Sequence, residues 1–64
     1  MRLTLISTND TDHSVIVSVD NVRYEYWLGD HYQKLSYVKW WIRKGVNGRA
    51  LSWLKQHAIR TDKL

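Results

Sequence analysis

The sequence predicts an α+β domain, in which a three-stranded antiparallel sheet (a meander) is followed by two helices packed on one face. Two patterns indicate this class. Through residues 1–28, apolar and polar residues alternate with the period of a strand, and through residues 31–60 apolar residues recur with the period of a helix. At 64 residues the chain has room for one domain and one core. We therefore predict a single domain with a sheet at 1–28 and a basic helical half at 31–60.

The clearest element is a hairpin that turns at Asp20 and Asn21. Asp and Asn tolerate positive φ, so a two-residue turn of the primed type fits between the strands. Closing this turn puts one apolar set on a single face: Val15, Val17, Val19, Val22, Tyr24, Tyr26 and Leu28. The opposite face carries Ser14, Ile16, Ser18, Arg23, Glu25 and Trp27. A slip by one residue would move the apolar set into solvent, which fixes the register.

A shorter strand precedes the hairpin. Leu3 and Leu5 alternate with Arg2, Thr4 and Ile6, and a polar loop over residues 7–13 follows. A loop of this length allows antiparallel pairing with the Val15–Val19 strand. The sheet would then have one apolar face, which needs a cover.

Two helices supply the predicted cover. The first runs from His31 to Gly45, with the break and N-cap at Gly29-Asp30 and an inward stripe of Tyr32, Leu35, Val38, Trp41 and Ile42. Gly45 ends it because a left-handed residue is favoured there. The second helix begins at Asn47 as its cap and turns Ala50, Leu51, Leu54 and Ala58 inward. Residues after Arg60 are expected to fray.

The amino-acid composition narrows the possible classes of protein. There is no cysteine, so neither a disulfide nor a thiolate zinc site supplements the core. Four Trp and four Tyr, with no Phe, supply the large rings that a small core needs. No segment resembles a signal peptide or approaches the length of a membrane span. We expect a cytoplasmic protein without a membrane span.

Charge is divided sharply between the two halves. Residues 1–30 hold two cations against five acidic residues, whereas residues 31–61 hold seven cations and no acidic residue. Such asymmetry favours an anionic partner such as nucleic acid, an acidic protein surface or anionic lipid. The simpler alternative is a solvated face that the acidic sheet loops balance in the folded state.

The segment from Lys34 to Lys44 interleaves cations with aromatic rings, a pattern suited to binding nucleic acid. Trp40 falls about 100° from Trp41 around the helix, beside Tyr37 and Lys44. It could stack on bases, or pack against the second helix as part of the core. The predicted nucleic-acid-binding residues are Lys34, Lys39, Trp40, Arg43, Lys44, Arg49 and Lys55, with Trp53 as a further candidate for stacking.

A second hypothesis is a protein-interaction module. Such a module could be an inhibitor of a larger enzyme or complex, of the kind that mobile elements often encode. It would dock through the basic helices or through the sheet face around Trp27. The partner-binding candidates are Trp27, Tyr37, Trp40 and Trp53.

Catalytic and metal motifs are not apparent. The cluster Asn9, Asp10, Asp12 and His13 lacks the spacing and glycine of a calcium loop and is predicted to be a solvated turn. His31 and His57 could act as acid and base only if the fold brought them together at a pocket, so surface or capping roles are favoured. We predict no enzyme activity, no cofactor and no metal.

The helical half has a loose resemblance to the helix-turn-helix family. Gly45-Val46 would form the turn, and Asn47, Gly48, Arg49 and Ser52 would begin a recognition helix. Trp41 departs from the pattern, because it stands where that family has a small residue for close helix contact. Tyr24-Glu25-Tyr26 and Lys44-Gly45 also resemble a small bacterial βββαα family named for its lysine, threonine, serine and cysteine, but the cysteine is absent here.

Overall fold

The computed structural model describes residues 1–61 and confirms an α+β architecture. Its elements are β1 (Leu3–Asn9), β2 (Ser14–Val19), β3 (Val22–Trp27), a 3-10 helix (Gly29–Lys34), α1 (Leu35–Arg43), α2 (Asn47–His57) and β4 (Ile59–Arg60). The strands form one antiparallel sheet in the order β1-β2-β3-β4. The sheet therefore has four strands, where the sequence predicted three.

The hairpin register is confirmed pair by pair. Val19 lies opposite Val22, Val17 opposite Tyr24 and Val15 opposite Tyr26. Asp20 and Asn21 have φ of 51° and 73°, as a type I′ turn requires. Because that turn twists in the same sense as the strands, its two residues set the pairing of the whole hairpin.

The first strand is longer than predicted and contains a β-bulge. Pairing of β1 with β2 shifts between Leu5 and Ser7, so Ile6 is the extra residue. Beyond the bulge, Thr8 lies opposite Val15 and Asn9 opposite Ser14. The predicted polar loop over residues 7–13 was therefore wrong at its start, because backbone pairing continues through Asn9 despite the polar side chains.

The fourth strand corrects the predicted end of the helical half. Helix α2 stops at His57, and Ile59 and Arg60 pair with Trp27 and Tyr26 of β3. The Thr61 N–H extends the pairing by donating to the Glu25 carbonyl at 2.9 Å. Of the residues after Arg60, Thr61 is thus held in place, and residues 62–64 lie outside the described part of the chain.

The segment that connects the sheet to the first helix also differs from the prediction. Residues Gly29–Lys34 form a 3-10 helix, and α1 begins only at Leu35. Asp30 lies in the first turn of the 3-10 helix, whose N-cap is Leu28 without a side-chain cap. Tyr32 is half-buried and packs against the core as predicted, and its ring and hydroxyl also contact the β1–β2 turn. The segment lacks the repeated apolar positions that would hold an α-helix against the sheet.

The turn between α1 and α2 forms around Gly45, as predicted. Gly45 has φ of 80°; its N–H donates to the Ile42 carbonyl, and the Val46 N–H donates to the Trp41 carbonyl. These two bonds are those of a Schellman motif, which ends a helix at a left-handed residue. The predicted cap at Asn47 was wrong, since Val46 occupies the cap position and Asn47 is the first helical residue.

The core lies between one face of the sheet and the two helices. Its buried apolar residues are Leu3, Val15, Val17, Tyr26, Leu28, Leu35, Val38, Ala50 and Leu54. Val19 and Tyr24 are only half-buried, and Val22 is exposed at the hairpin end. The predicted apolar face is therefore covered at the end near Val15 and open at the turn.

Candidate basic helical surface

Helix α1 presents Trp40 directly away from the core. Leu35 and Val38 are buried, and at about 100° per residue Trp40 lies roughly 180° around the helix from their stripe. Arg43 and Lys44 fall within about 60° of Trp40 on its two sides. The helical period that buries one stripe therefore leaves this ring between two cations.

Exposure decides between the two roles considered for these rings. The Trp40 side chain is 55% exposed and Tyr37 is 61% exposed, so neither belongs to the core. The Lys44 Nζ lies 5.8 Å from the Trp40 ring centroid, within cation–π range. Large rings left in water suit stacking or contact with a partner.

The cations of the helical half are open to solvent. Six predicted contact residues are exposed: Lys34 on the 3-10 helix, Lys39 and Arg43 on α1, Lys44 at the C-cap of α1, and Arg49 and Lys55 on α2. Within residues 1–61, none of the six forms an ion pair with a carboxylate. Together with Trp40, we call these residues the basic helical surface.

Three of the five acidic residues of the sheet half accept hydrogen bonds from groups other than these six cations. Asp10 accepts a hydrogen bond from the Tyr32 hydroxyl. Asp12 accepts one from the Asn9 amide at 3.0 Å, and Asp20 accepts one from the Arg2 backbone N–H at 2.7 Å. Local ion pairs with these carboxylates therefore do not neutralise the basic helical surface.

Trp53 differs from Trp40. Its side chain is half-buried against the core, and its ring lies 6.2 Å from the ring of His31 and 5.0 Å from that of His57. A shallow groove of about 350 Å³ runs beside it, lined by Trp41, Arg49, Ser52, Trp53 and Gln56. Trp53 is thus a wall of this groove and is less free to stack than Trp40.

The start of α2 bears on the helix-turn-helix resemblance. The Asn47 side chain is half-buried, and its amide donates to the Met1 carbonyl at 3.4 Å. Gly48, Arg49 and Ser52 are exposed. Of the four residues that would begin a recognition helix, three are open to a partner and Asn47 is turned toward the first strand.

The outer sheet face, which we define by Ile16, Glu25, Trp27 and Ile59, carries the alternative candidate. Trp27 is 45% exposed, and Ile59, opposite it on β4, is 59% exposed. Gly29 lies close to this ring, since a Cβ built there would be 2.6 Å from the Trp27 Cη2 atom. Trp27 and Ile59 together form an exposed apolar pair at one edge of the sheet.

The polar turn between β1 and β2 has a structural role. The Asn9 side-chain oxygen accepts the N–H groups of Thr11 and Asp12, an Asx turn that caps the loop. The Tyr32 hydroxyl donates to Asp10, and its ring stacks on His13 with centroids 5.0 Å apart. The hydrogen bond to Asp10 raises the pKa of Tyr32; desolvation also raises it, and a hydrogen bond with Thr8 opposes the shift.

The fold brings together two residues that sequence reasoning left on the surface. His31 of the 3-10 helix and His57 at the end of α2 have ring centroids 5.1 Å apart, with the ring planes at 52°. Both side chains are exposed, and Trp53 contacts both rings. Their spacing in the sequence gave no signal for this pairing, because it depends on how α2 packs beside the 3-10 helix.

Comparisons with protein-family models, curated proteins and solved structures found no match to this chain. No helix in the described part of the chain has both the length and the apolar character needed to cross a membrane. The surfaces described above are therefore the basis for a functional proposal.

Proposed function

We propose that this protein is a small non-enzymatic module that binds nucleic acid through the basic helical surface. The observation that carries the proposal is Trp40, which is more than half exposed and lies between Arg43 and Lys44 on the outward face of α1. Covering a ring of this size would remove apolar surface from water, which favours binding of a partner there. Cations on both sides favour a partner that combines flat rings with negative charge.

The chemistry of the two residue types is complementary. Lys and Arg neutralise phosphates and release counterions, which supplies most of the affinity for nucleic acid of any sequence. An exposed aromatic ring adds about 1–3 kcal/mol per stacked base, and stacking needs an unpaired base. We therefore expect single strands to bind more tightly than duplexes of equal length.

The test is a double charge reversal, Lys39→Glu with Arg43→Glu, measured by fluorescence anisotropy on labelled single strands and duplexes. Two phosphate contacts are lost, so affinity should fall for every sequence, and the slope of log affinity against log salt should become shallower by about two. Trp40→Ala should weaken single-strand binding by about 1–3 kcal/mol and duplex binding by less.

The matched control is Arg2→Glu with Arg23→Glu, which makes the same change in net charge within the sheet half. It should retain most of the binding if the contact is local to the helices. Equal loss in both double variants would mean that only overall charge matters, and absence of binding to any nucleic acid at low salt would refute the proposal.

The exposed Trp27 and Ile59 pair favours a second candidate, a protein-interaction module or inhibitor that docks through the outer sheet face. An apolar pair at a sheet edge suits a protein partner better than a phosphate backbone. This candidate predicts that Trp27→Ala abolishes capture of one specific protein while the Lys39→Glu, Arg43→Glu variant still captures it.

A further inference from the structure

His31, His57 and Trp53 form a compact group of rings that the proposed function does not use. The two imidazole rings are 5.1 Å apart between centroids and tilted by 52°, so they are not stacked face to face. Trp53 lies within 6.2 Å of His31 and 5.0 Å of His57 and forms an apolar wall beside both. Tilted neighbouring rings can direct one nitrogen each toward a common point.

The separation fits two imidazoles bound to one metal ion. A metal about 2.1 Å from a ring nitrogen lies roughly 3.2 Å from the centroid of that ring, so at a tetrahedral angle two such centroids are about 5.2 Å apart. The observed 5.1 Å matches this value. A stacked pair of rings would not place the two nitrogen lone pairs in this relation.

We propose that His31 and His57 form a bidentate site for a late first-row divalent metal ion such as Zn²⁺. Imidazole nitrogen suits Zn²⁺, Ni²⁺ and Cu²⁺, whereas Mg²⁺ prefers oxygen. Residues 1–61 contain no group of three or more His, Cys, Asp or Glu side chains that could hold a metal. Two imidazoles therefore supply the protein ligands, and water or a bound partner fills the remaining positions.

The site is tested by titrating the full chain with Zn²⁺, following the imidazole C–H resonances by NMR and the affinity by calorimetry. The resonances of His31 and His57 should shift together and saturate at one metal ion per chain. His13, whose ring stacks on Tyr32, is the internal control and should not shift in step with them. Mg²⁺ at the same concentration should leave all three histidines unchanged.

Two variants examine the chelate directly. His31→Gln and His57→Gln should each lower Zn²⁺ affinity by about tenfold or more, because either change leaves a single imidazole without its tethered second ligand. His13→Gln should leave the affinity unchanged. All three side chains are exposed, so thermal melts should show folded variants.

Three results would overturn the proposal: no Zn²⁺ binding by the wild-type chain, independent titration of His31 and His57, or an equal loss of affinity in His13→Gln. The resonance shifts of the wild-type chain do not depend on any variant, so they remain decisive even if one replacement disturbs folding.

Discussion

At the scale of single residues, the three glycines occupy different environments. Gly29 and Gly45 both have positive φ, 55° and 80°, and Gly29 is in addition closed in by the Trp27 ring. Gly48 lies in α2 with open space where a Cβ would be. Replacing each by Ala therefore separates backbone strain from steric contact.

We expect Gly29→Ala to be the most damaging of these changes. The left-handed backbone costs a non-glycine residue roughly 1–3 kcal/mol, and the new Cβ also forces the Trp27 ring to move. Gly45→Ala should show the backbone cost alone. Gly48→Ala should stabilise the protein by up to about 1 kcal/mol, since Ala is the better helix former.

Urea unfolding of the three glycine variants measures their free energies of unfolding and ranks the three changes. If Gly29→Ala and Gly45→Ala cost the same, the Trp27 ring moves aside without resistance and the close approach has no energetic role. If Gly48→Ala destabilised the protein, the start of α2 would need more than helical backbone at this position.

Tyr32 gives a second prediction at this scale. Its pKa is raised above 10.0 mainly because its hydroxyl donates to the Asp10 carboxylate. A raised pKa in the folded state means that the neutral phenol favours folding. This contribution is complete below pH 10 and is lost as the pH rises through the raised pKa.

Asp10→Asn should move the pKa of Tyr32 back toward its ordinary value, measured by NMR of the Tyr32 ring at alkaline pH. Asp12→Asn is the matched control, because Asp12 lies in the same turn and bonds to Asn9 instead. An unchanged Tyr32 titration in Asp10→Asn would contradict the proposed cause.

At the scale of elements, the hairpin is defined by its turn and its alternation. Val17 is buried on the helix-covered face, and Ser18, its neighbour, is half-buried on the outer face opposite Arg23. Adjacent residues on one strand thus face opposite environments. A charge placed at each position tests which face is buried.

Val17→Asp should cost more than about 4 kcal/mol and unfold the domain, because it buries a carboxylate without a partner. Ser18→Asp should be nearly neutral, and the facing Arg23 could stabilise it by about 0.2–1 kcal/mol. Circular dichroism and thermal melts measure the fold and the stability of both variants. A larger loss in Ser18→Asp would be incompatible with this register.

At the scale of the whole molecule, the charge asymmetry of the sequence persists on the exposed surface of the helices. The carboxylates of Asp10, Asp12 and Asp20 accept hydrogen bonds from Tyr32, Asn9 and Arg2, while none of the six cations of the basic helical surface forms an ion pair within residues 1–61. The double charge reversal also tests the simpler alternative, a solvated positive face that the acidic sheet loops balance, under which binding would not change. The proposed double reversal at Lys39 and Arg43 should leave the fold intact, because both side chains are exposed.

The β-bulge in β1 changes which face of the sheet the residues after it occupy. By adding Ile6 to β1, it places Thr8 opposite Val15, so that Thr8 lies on the same face of the sheet as Val15. The alternation in the sequence stops at Ile6, so it could not predict this shift. Backbone pairing with β2 stabilises the polar end of β1 without any apolar pattern.

The sequence alone determined the features that depend on neighbouring residues. The hairpin register follows from alternation and from the turn at Asp20 and Asn21, and the end of α1 follows from Gly45, because local φ preference and side-chain period act within a few residues. Only the tertiary structure decided the rest. Strand β4 is two residues long and has no period to detect, and the meeting of His31 with His57 and the exposure of Trp40 depend on how the helices pack against the sheet.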